Sequence, residues 1–525
     1  MVYSPIAIVG RACLLPGASS PGALWELVAD KRSSVTGVPS GRFGLDPDLV
    51  RGTPNSSVDR TWSTRGGYVD VDVADLPDFP GRADVRGLDP LFSWTLSTSH
   101  RALVDAGFEA GLRGTQASAR AGFVFGNLSF PTEAMTRLGE TLALDDAWRA
   151  ATGRVVGDRR DRFMSGLPAL LAARHLGLDA FSYCLDAACA SSLYAIHLAA
   201  RALQDGRADV VVAGAVNRAD ALFLHVGFSA LQALSTSGTP RPFDRAADGL
   251  VPAEGCVALT LMRLNDAVHT GRPIHGVITG SGLSNDGRSK SLLAPSSEGQ
   301  VRALRAAWAE AGRAPSSAQL FECHATGTQA GDKTEVASLK ELVGDVAAPI
   351  PLGSLKSNLG HLITAAGAAG LVKVCEALRH EQLPPTIHVD HAIDAVDGRT
   401  FRLQSELAPW ARPDGDMRRA GVSAFGFGGN DAHVVVEEAP RERRSFPAAA
   451  LSPRRLPALA VVAVGAGCGD LRGGLDALTQ AQGKGAPTVA REIVVDTDGV
   501  RFPPLDLGES LAQQLLVFEA ARDAV

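Results

Sequence analysis

The stretch Ala208 to Val216, reading ADVVVAGAV, constrains the fold most. Beyond Asp209 it carries no polar side chain. A strand points successive side chains to opposite faces, so an unbroken β-branched run is a strand covered on both faces. Such strands belong to sheets with helices on each side. Short apolar runs near 6–9, 121–126, 257–261, 274–282, 319–323, 350–355, 420–425 and 432–437 read as further strands. Helical patterns at 24–28, 92–106, 297–312 and 364–380 fall between them, and 132–175 reads as mainly helical. Residues 33–70 read as surface loop. The alternation predicts an α/β fold with a mostly parallel sheet.

The 525 residues suffice for a large core, and 45% hydrophobic with 21% charged residues is ordinary globular composition. A net charge of −6 argues for neither nucleic acid nor a membrane surface as partner. The seven cysteines (13, 184, 189, 256, 323, 375, 468) stand singly, without metal-ligand or disulfide spacing, which favours a reducing compartment and no metal. The N-terminus lacks a basic flank followed by an apolar signal region, and no run is long enough to span a bilayer. The expected location is the cytoplasm.

One of those cysteines sits where chemistry is expected. Residues 181–204 read as a short strand and then a helix, with Leu193, Ile196, Ala200 and Leu203 at helical spacing and Asp205-Gly206 as a stop. Cys189 falls at the turn between them. Unpaired N–H groups and the positive end of the helix dipole favour a thiolate there. The small neighbours Ala187, Ala188, Ala190, Ser191 and Ser192 leave room for a substrate. The alternative is plain burial, since free Cys is among the most buried residue types.

Three glycine-punctuated stretches follow. Glu322-Cys-His-Ala-Thr-Gly-Thr328 puts His324 at a strand end, where open α/β sheets face a ligand crevice. Gly353-Ser-Leu-Lys-Ser-Asn-Leu-Gly-His361 repeats the strand-then-turn pattern. Ser423-Ala-Phe-Gly-Phe-Gly-Gly-Asn-Asp-Ala-His433 is a turn whose glycines permit unusual dihedrals. Each alone is a weak signal. A Cys at a helix start with two His at strand ends points to acyl transfer through a thioester.

These motifs, in this order, resemble the β-ketoacyl synthases, the condensing enzymes of fatty acid and polyketide assembly. Asp186-Ala-Ala-Cys-Ala-Ser-Ser-Leu193 is similar to their nucleophile motif, and His324-Ala-Thr-Gly-Thr328 and Lys356-Ser-Asn-Leu-Gly-His361 to their histidine motifs. Phe425-Gly-Phe-Gly-Gly-Asn-Asp-Ala-His433 is similar to the closing glycine turn, and Pro242-Phe-Asp, Ala247-Asp-Gly and Glu254-Gly also match. The resemblance covers roughly residues 4–438. It implies an α/β, thiolase-like layered fold of two related halves, about 1–265 and 266–438, usually as a homodimer. It also implies Cys189 as nucleophile, with His324 and His361 donating hydrogen bonds to a malonyl thioester as it loses carbon dioxide. By the same resemblance the N–H groups of Cys189 and Phe427 form the oxyanion hole. Phe427 and Phe425 flank or gate the site, and Thr326 and Thr328 contact the phosphopantetheine arm. Lys356 brings positive charge, with Asp332 and Glu335 both open as its partner. The implied partners are an acyl carrier protein, whose phosphopantetheine carries the substrates in place of a bound cofactor, and a malonyl-loading acyltransferase in trans or elsewhere in a longer chain.

The sequence departs from the commonest pattern. Cys323-His-Ala stands for Ala-His-Gly, Asn430-Asp431 stands for Thr-Asn, and Phe125-Gly-Asn-Leu-Ser-Phe-Pro131 is atypical. The chain changes character after Pro440, and 439–456 reads as an exposed, Arg-, Pro- and Ala-rich linker. Residues 457–525 then begin again. Leu459 to Gly465 echoes Ile6 to Gly10, and Gln513 to Ala524 occupies the place of the 95–106 helix. We expect a truncated start of a second ketosynthase-like, chain-length-factor-like domain, as in iterative synthases of polyunsaturated fatty acids or enediyne precursors. Two other functions fit part of the pattern: a Cys-dependent acyltransferase, disfavoured by the paired histidines and Lys356, and a non-elongating chain-length-factor-like partner, disfavoured by the intact Cys189.

Overall fold

The computed structural model describes residues 4–54, 59–109, 111–143, 147, 157–287, 294–440, 460–463, 466–468, 471–473 and 512–524. The chain divides into two units, 1–453 and 454–525.

Eleven strands of the first unit make one sheet. In chain order they are β1 (Ile6–Leu14), β2 (Ala121–Asn127), β3 (Phe181–Leu185), β4 (Val210–Asn217), β5 (Gly255–Arg263), β6 (Gly276–Asn285), β7 (Leu320–Glu322), β8 (Ile350–Gly353), β9 (Phe401–Leu403), β10 (Arg419–Gly426) and β11 (Asn430–Glu437). Across the sheet the order is β9-β8-β7-β10-β11-β6-β1-β5-β4-β2-β3. Every residue of β4 is buried, as its unbroken apolar run requires.

The strand order contains a duplication. Outward from β1, the pairings to β5, β4, β2 and β3 run antiparallel, antiparallel, parallel, parallel. Outward from β6, the pairings to β11, β10, β7 and β8 repeat that series, and β9 adds one more parallel strand. The halves join where β1 meets β6 antiparallel, with Ile6 opposite Ile278, Ala7 opposite Val277 and Ile8 opposite Gly276. A mostly parallel sheet is therefore not what forms: antiparallel pairings are as many as parallel ones. Apolar runs record burial and not direction, and the glycine turn between β10 and β11 closes a tight hairpin that makes that pair antiparallel.

Six of the described helices form the layers that position the site: α1 (Pro90–Asp105), α2 (Leu167–Leu176), α3 (Ser191–Gln204), α4 (Ser297–Ala311), α5 (Gln329–Val343) and α6 (Ala366–His380). α1 covers β1 and β5 with α2 beside it, and α4 with α5 covers β6 and β11. α3 and α6 lie between the two halves of the sheet, in the largest apolar cluster. α6 is buried from Ala366 to Leu378, the all-round burial of a central helix. The two central helices touch closely: a Cβ on Gly367 would come within 2.6 Å of Leu193 Cγ.

The region 132–175 is only partly helical among its described residues, with a helix at Glu133–Ala143, a 3-10 segment at Arg159–Phe163 and then α2. The second unit contains a short antiparallel pair, Ala466–Cys468 with Leu471–Gly473, and a helix at Ala512–Ala524 where one was expected. The strand expected at 459–465 is absent from its described residues: 460–463 form no regular element, and Val461 and Val462 are exposed. A run of that composition needs cover on both faces to be held as a strand. Of the expected linker at 439–456, residues 441–456 lie outside the described residues, as does the segment 474–511. Among the described residues no helix is long and apolar enough to cross a membrane.

Candidate active site

Cys189 stands on an elbow that the chain makes after β3. Asp186 Oδ1 accepts the Ala188 N–H at 2.9 Å, and its other oxygen accepts the Ser129 N–H at 2.7 Å. Ser191 Oγ accepts from the Ala187 N–H at 2.8 Å and donates to the Ala188 carbonyl at 2.7 Å. Between these anchors Ala188 adopts φ +50°, a left-handed conformation that costs a non-glycine residue on the order of 1–3 kcal/mol. A 3-10 turn, Ala188–Ala190, then leads into α3. Nothing in the sequence flags Ala188, because alanine is not a residue of positive φ.

The β10–β11 hairpin meets this elbow. A Cβ on Gly426 would lie 2.6 Å from the Ala187 carbonyl oxygen and 3.2 Å from the Cys189 nitrogen, so only glycine lets the two backbones approach. The backbone N–H groups of Phe427 and of Cys189 itself act on the sulfur in favour of its charged form. Phe427 is half-buried against Phe228, their ring centroids 6.2 Å apart, and Phe425 is buried beside His324.

The two histidines arrive from the other half. His361 is buried, its N–H bonded to the Val251 carbonyl at 2.7 Å and its own carbonyl taking the Ala253 N–H at 2.9 Å. Its Nε2 lies 3.0 Å from Cys189 Sγ. The His324 ring stands edge-on to the His361 ring at 5.3 Å between centroids. The sulfur and one nitrogen of each ring lie within 4.8 Å of one another. All three residues open on a cavity of about 210 Å³, whose wall also includes Thr326, Thr328, Phe425 and Phe427. Thr326 Oγ1 and Thr328 Oγ1 are 3.1 Å apart.

Asp332 and Glu335 lie on α5 one turn apart and are spent on backbone. Glu335 accepts the N–H groups of His324 (2.7 Å) and Ala325 (2.8 Å), and Asp332 those of Thr326 (3.1 Å) and Phe243 (2.8 Å). These carboxylates hold the His324 loop in shape. The buried Lys356 ammonium feels Glu322 first and Glu335 after it. Glu322 was missed in the sequence, although a buried acid at the end of an apolar strand is a signal. Its carboxylate accepts the Leu355 N–H and the Lys373 ammonium, both at 2.7 Å, and so ties the two histidine-bearing loops together.

Burial dominates the electrostatics. It pushes the Cys189 thiol up to about 11, against the pull of Lys356 and of the two N–H groups. The resting group is thus a thiol and not the thiolate expected from the helix end alone; desolvation outweighs the end-of-helix field. Burial and then Lys356 hold His324 and His361 well below the ordinary imidazole range, so both rings are neutral. Burial lowers Lys356 and raises Asp332 to about 6 and Glu335 to about 7, the carboxyls being partly restored by their backbone donors.

Two stacked halves around a pair of central helices, with a Cys-His-His cluster at their junction, define a thiolase-like condensing enzyme. Two family models, "Beta-ketoacyl synthase, N-terminal domain" and "Beta-ketoacyl synthase, C-terminal domain", match residues 3–267 and 275–390. The chain belongs to the β-ketoacyl synthase family. It is 36% identical to a mycocerosic acid synthase-like polyketide synthase of Mycolicibacterium smegmatis, over 99% of this chain and 24% of that protein. It is 37% identical to the pikromycin polyketide synthase component PikAIII of Streptomyces venezuelae, over 83% of this chain and 28% of that protein. The chain therefore spans about a quarter of the length of these relatives. Among solved structures it is similar to the PfaC keto synthase-chain length factor, with a TM-score of 0.81 and 31% identity, over 92% of this chain and 53% of that one. The ketosynthase from module 6 of the bacillaene synthase of Bacillus subtilis 168 gives a TM-score of 0.72 and 30% identity, over 84% and 73%.

Proposed function

We propose that the chain condenses an acyl thioester with a malonyl thioester, both delivered on the phosphopantetheine arm of an acyl carrier protein. One observation carries this reading: Cys189 Sγ lies 3.0 Å from His361 Nε2, with the His324 ring alongside. In the first half-reaction the sulfur attacks the acyl carbonyl carbon. Its proton ends on the departing phosphopantetheine sulfur, while the Cys189 and Phe427 N–H groups hold the oxyanion. In the second, the malonyl bond to its carboxylate breaks and carbon dioxide leaves. The electron pair becomes an enolate whose oxygen accepts hydrogen bonds from His324 and His361. The enolate carbon attacks the acyl carbon, the new carbon–carbon bond forms, and the bond to Cys189 sulfur breaks; the sulfur leaves with the electron pair and takes a proton from solvent to return to the thiol. Neutral imidazoles suit this task, since they donate a hydrogen bond without surrendering a proton. Lys356 helps to keep them neutral, and Thr326 and Thr328 hold the phosphopantetheine arm.

The test is intact-protein mass spectrometry with an acyl pantetheine thioester. An adduct is expected on Cys189 and none in Cys189→Ala. His324→Ala and His361→Ala are expected to lose carbon dioxide release from malonyl carrier protein while retaining partial self-acylation. Labelling of Cys184, Cys256 or Cys323 instead, or release at the parent rate in both variants, refutes the assignment.

The pathway we infer is polyketide or polyunsaturated fatty acid assembly in the cytoplasm, with malonyl groups loaded by an acyltransferase in trans or elsewhere in a longer chain. The domain reading is a synthase at 1–438, a linker at 439–456, and at 457–525 the start of a second ketosynthase-like domain. The likeness to a keto synthase-chain length factor over 92% of this chain supports it. Ending the chain at Pro440 is expected to leave the melting temperature of the synthase nearly unchanged; a large loss refutes the division. A homodimer is the proposed assembly. β3 is an edge strand with only partly covered side chains, Tyr183 among them, and the exposed Phe130–Phe223 pair adds apolar surface. Light scattering of Tyr183→Pro is expected to report a monomer where the parent is a dimer.

A further inference from the structure

Beside the Phe427 turn, the cavity wall includes two carboxyl groups that the reaction above does not use, Asp286 and Asp431. Asp431 is the second residue of β11 and Asp286 follows β6 directly. Asn430 pairs with Asn285 and Asp431 with Ser284, which sets the acids on adjacent strand ends. The Asp286 N–H donates to the Gly429 carbonyl at 2.8 Å. A Cβ on Gly429 would come within 2.8 Å of Asp286 Cβ, so the end of the turn rests on Asp286. A Cβ on Gly299, in the first turn of α4, would overlap Asp286 Oδ1 and lie 2.7 Å from Asp431 Oδ2. The two oxygens thus converge on one point over that helix, and both are buried without a hydrogen-bond partner.

Two carboxylates in such a place do not both ionise. A single proton between them turns one into a donor for the other and removes both defects. Burial and the charge of Asp286 push Asp431 up to about 8, and burial raises Asp286 as well. The Ser296 N–H supports the Asp286 anion. Arg302 of α4 faces the pair and favours its ionised form, and Tyr194 of α3 feels the Asp431 charge. Where the commoner pattern carries Asn at this position, an amide donates whatever the pH; an acid donates only while it keeps its proton.

We propose that Asp286 and Asp431 share one proton and so hold the Phe427 turn against the Cys189 elbow, as a positioning pair for the amide at the sulfur. This rests on the reading of Phe427 given above. It makes acyl loading fail in alkali, the opposite of simple thiolate chemistry, which speeds up as pH rises.

The test follows hydrogen exchange at residues 427–430 from about pH 6.5 to 9, corrected for intrinsic exchange, in the parent chain and in Asp431→Asn. Protection in the parent is expected to fall about tenfold as the proton leaves, with β4 unchanged, and to stay level in Asp431→Asn. Asp286→Asn serves as the reciprocal variant, and the parent's own contrast between the turn and β4 stands if neither variant folds. Equal loss of protection in parent and Asp431→Asn, or no loss in the parent, overturns the proposal. Cys189 acylation by an acyl pantetheine thioester is measured across the same pH range. It is expected to fall above about pH 8 in the parent and to rise in Asp431→Asn. If exchange behaves as expected while acylation does not follow, the pair holds the turn and it is the role of the Phe427 amide that fails.

Discussion

Gly426→Ala tests whether the hairpin positions the chemistry or merely lies near it. The added Cβ would sit 2.6 Å from the Ala187 carbonyl oxygen, with Ala188 Cβ and Cys189 N both at 3.2 Å. Neither backbone is the free end of a flexible side chain, so the hairpin retreats by about half an ångström. That displacement draws the Phe427 N–H off the sulfur while leaving both histidines on their own loops. Overpacking of this kind costs about 1–3 kcal/mol of stability. Loss of one oxyanion donor costs about 10²- to 10³-fold in the step that uses it. Acylation of Cys189 is therefore expected to slow by about two orders of magnitude. Carbon dioxide release from malonyl carrier protein, which draws on His324 and His361, is expected to hold within about threefold, roughly 0.7 kcal/mol of barrier. Stopped-flow acylation and a carbon dioxide assay on one folded preparation give the ratio. Equal losses in both steps, or acylation within about threefold of the parent, refute the argument.

Lys356→Met removes the charge that helps to lower both imidazoles and the thiol. The histidine pKa values then rise and the thiol goes higher still, so decarboxylation should show an acidic limb nearer neutrality; an unchanged pH profile contradicts this. Glu335 binds its proton more tightly folded than unfolded, its pKa being raised from 4.5 to about 7. Its contribution is fully present below the unfolded value and is lost as pH rises through about 7. Glu335→Gln should therefore flatten the fall of melting temperature across that window, by at most about 3 kcal/mol of stability; parallel melting curves exclude the effect. Thr364 is fully buried and donates to the Val216 carbonyl at 2.6 Å. Thr364→Val should cost about 1–3 kcal/mol in denaturant melts while sparing Cys189 acylation; undiminished stability refutes it.

Much of this was legible because burial writes itself into sequence. The β4 run, the strand-turn-helix around Cys189 and the glycine-flanked His324 and His361 could be read from residue type and spacing. What could not be read follows from physics that pattern does not carry. Strand direction is one case, since an apolar run such as that of β5 looks the same whichever way its neighbours run. The left-handed Ala188 is another, because the anchors that impose it, Asp186 and Ser191, act through tertiary hydrogen bonds. The thiol state of Cys189 is a third: its neighbours were predictable, but the depth of its burial was not. Lys356 was read with Asp332 and Glu335 as candidate acids; Glu335 is among the charges that act on it, but after Glu322, which stands one residue before Cys323 and was not named.

The duplication explains why the site exists at all. Each half builds the same elbow: Ala188 at φ +50° opens the turn Ala188–Ala190 into α3, and Ile363 at φ +50° opens the turn Ile363–Ala365 into α6. The residue that follows is Cys189 in one half and Thr364 in the other. Thr364 reaches across to the end of β4 and locks the second elbow to the first half. Cys189 is left to face the cavity. Both imidazoles come from the second half, His324 just past the end of β7 and His361 not at a strand end but beyond the short helix Lys356–Leu359 that follows β8, and neither half alone holds a nucleophile together with its hydrogen-bond donors. Chemistry therefore depends on how the halves dock, through α3 against α6 and the close approach at Gly367. A cavity-forming change there, such as Leu193→Ala, should cost about 2–5 kcal/mol and loosen Cys189 and His361 together, because the helix that follows the sulfur leans on the helix that follows the ring.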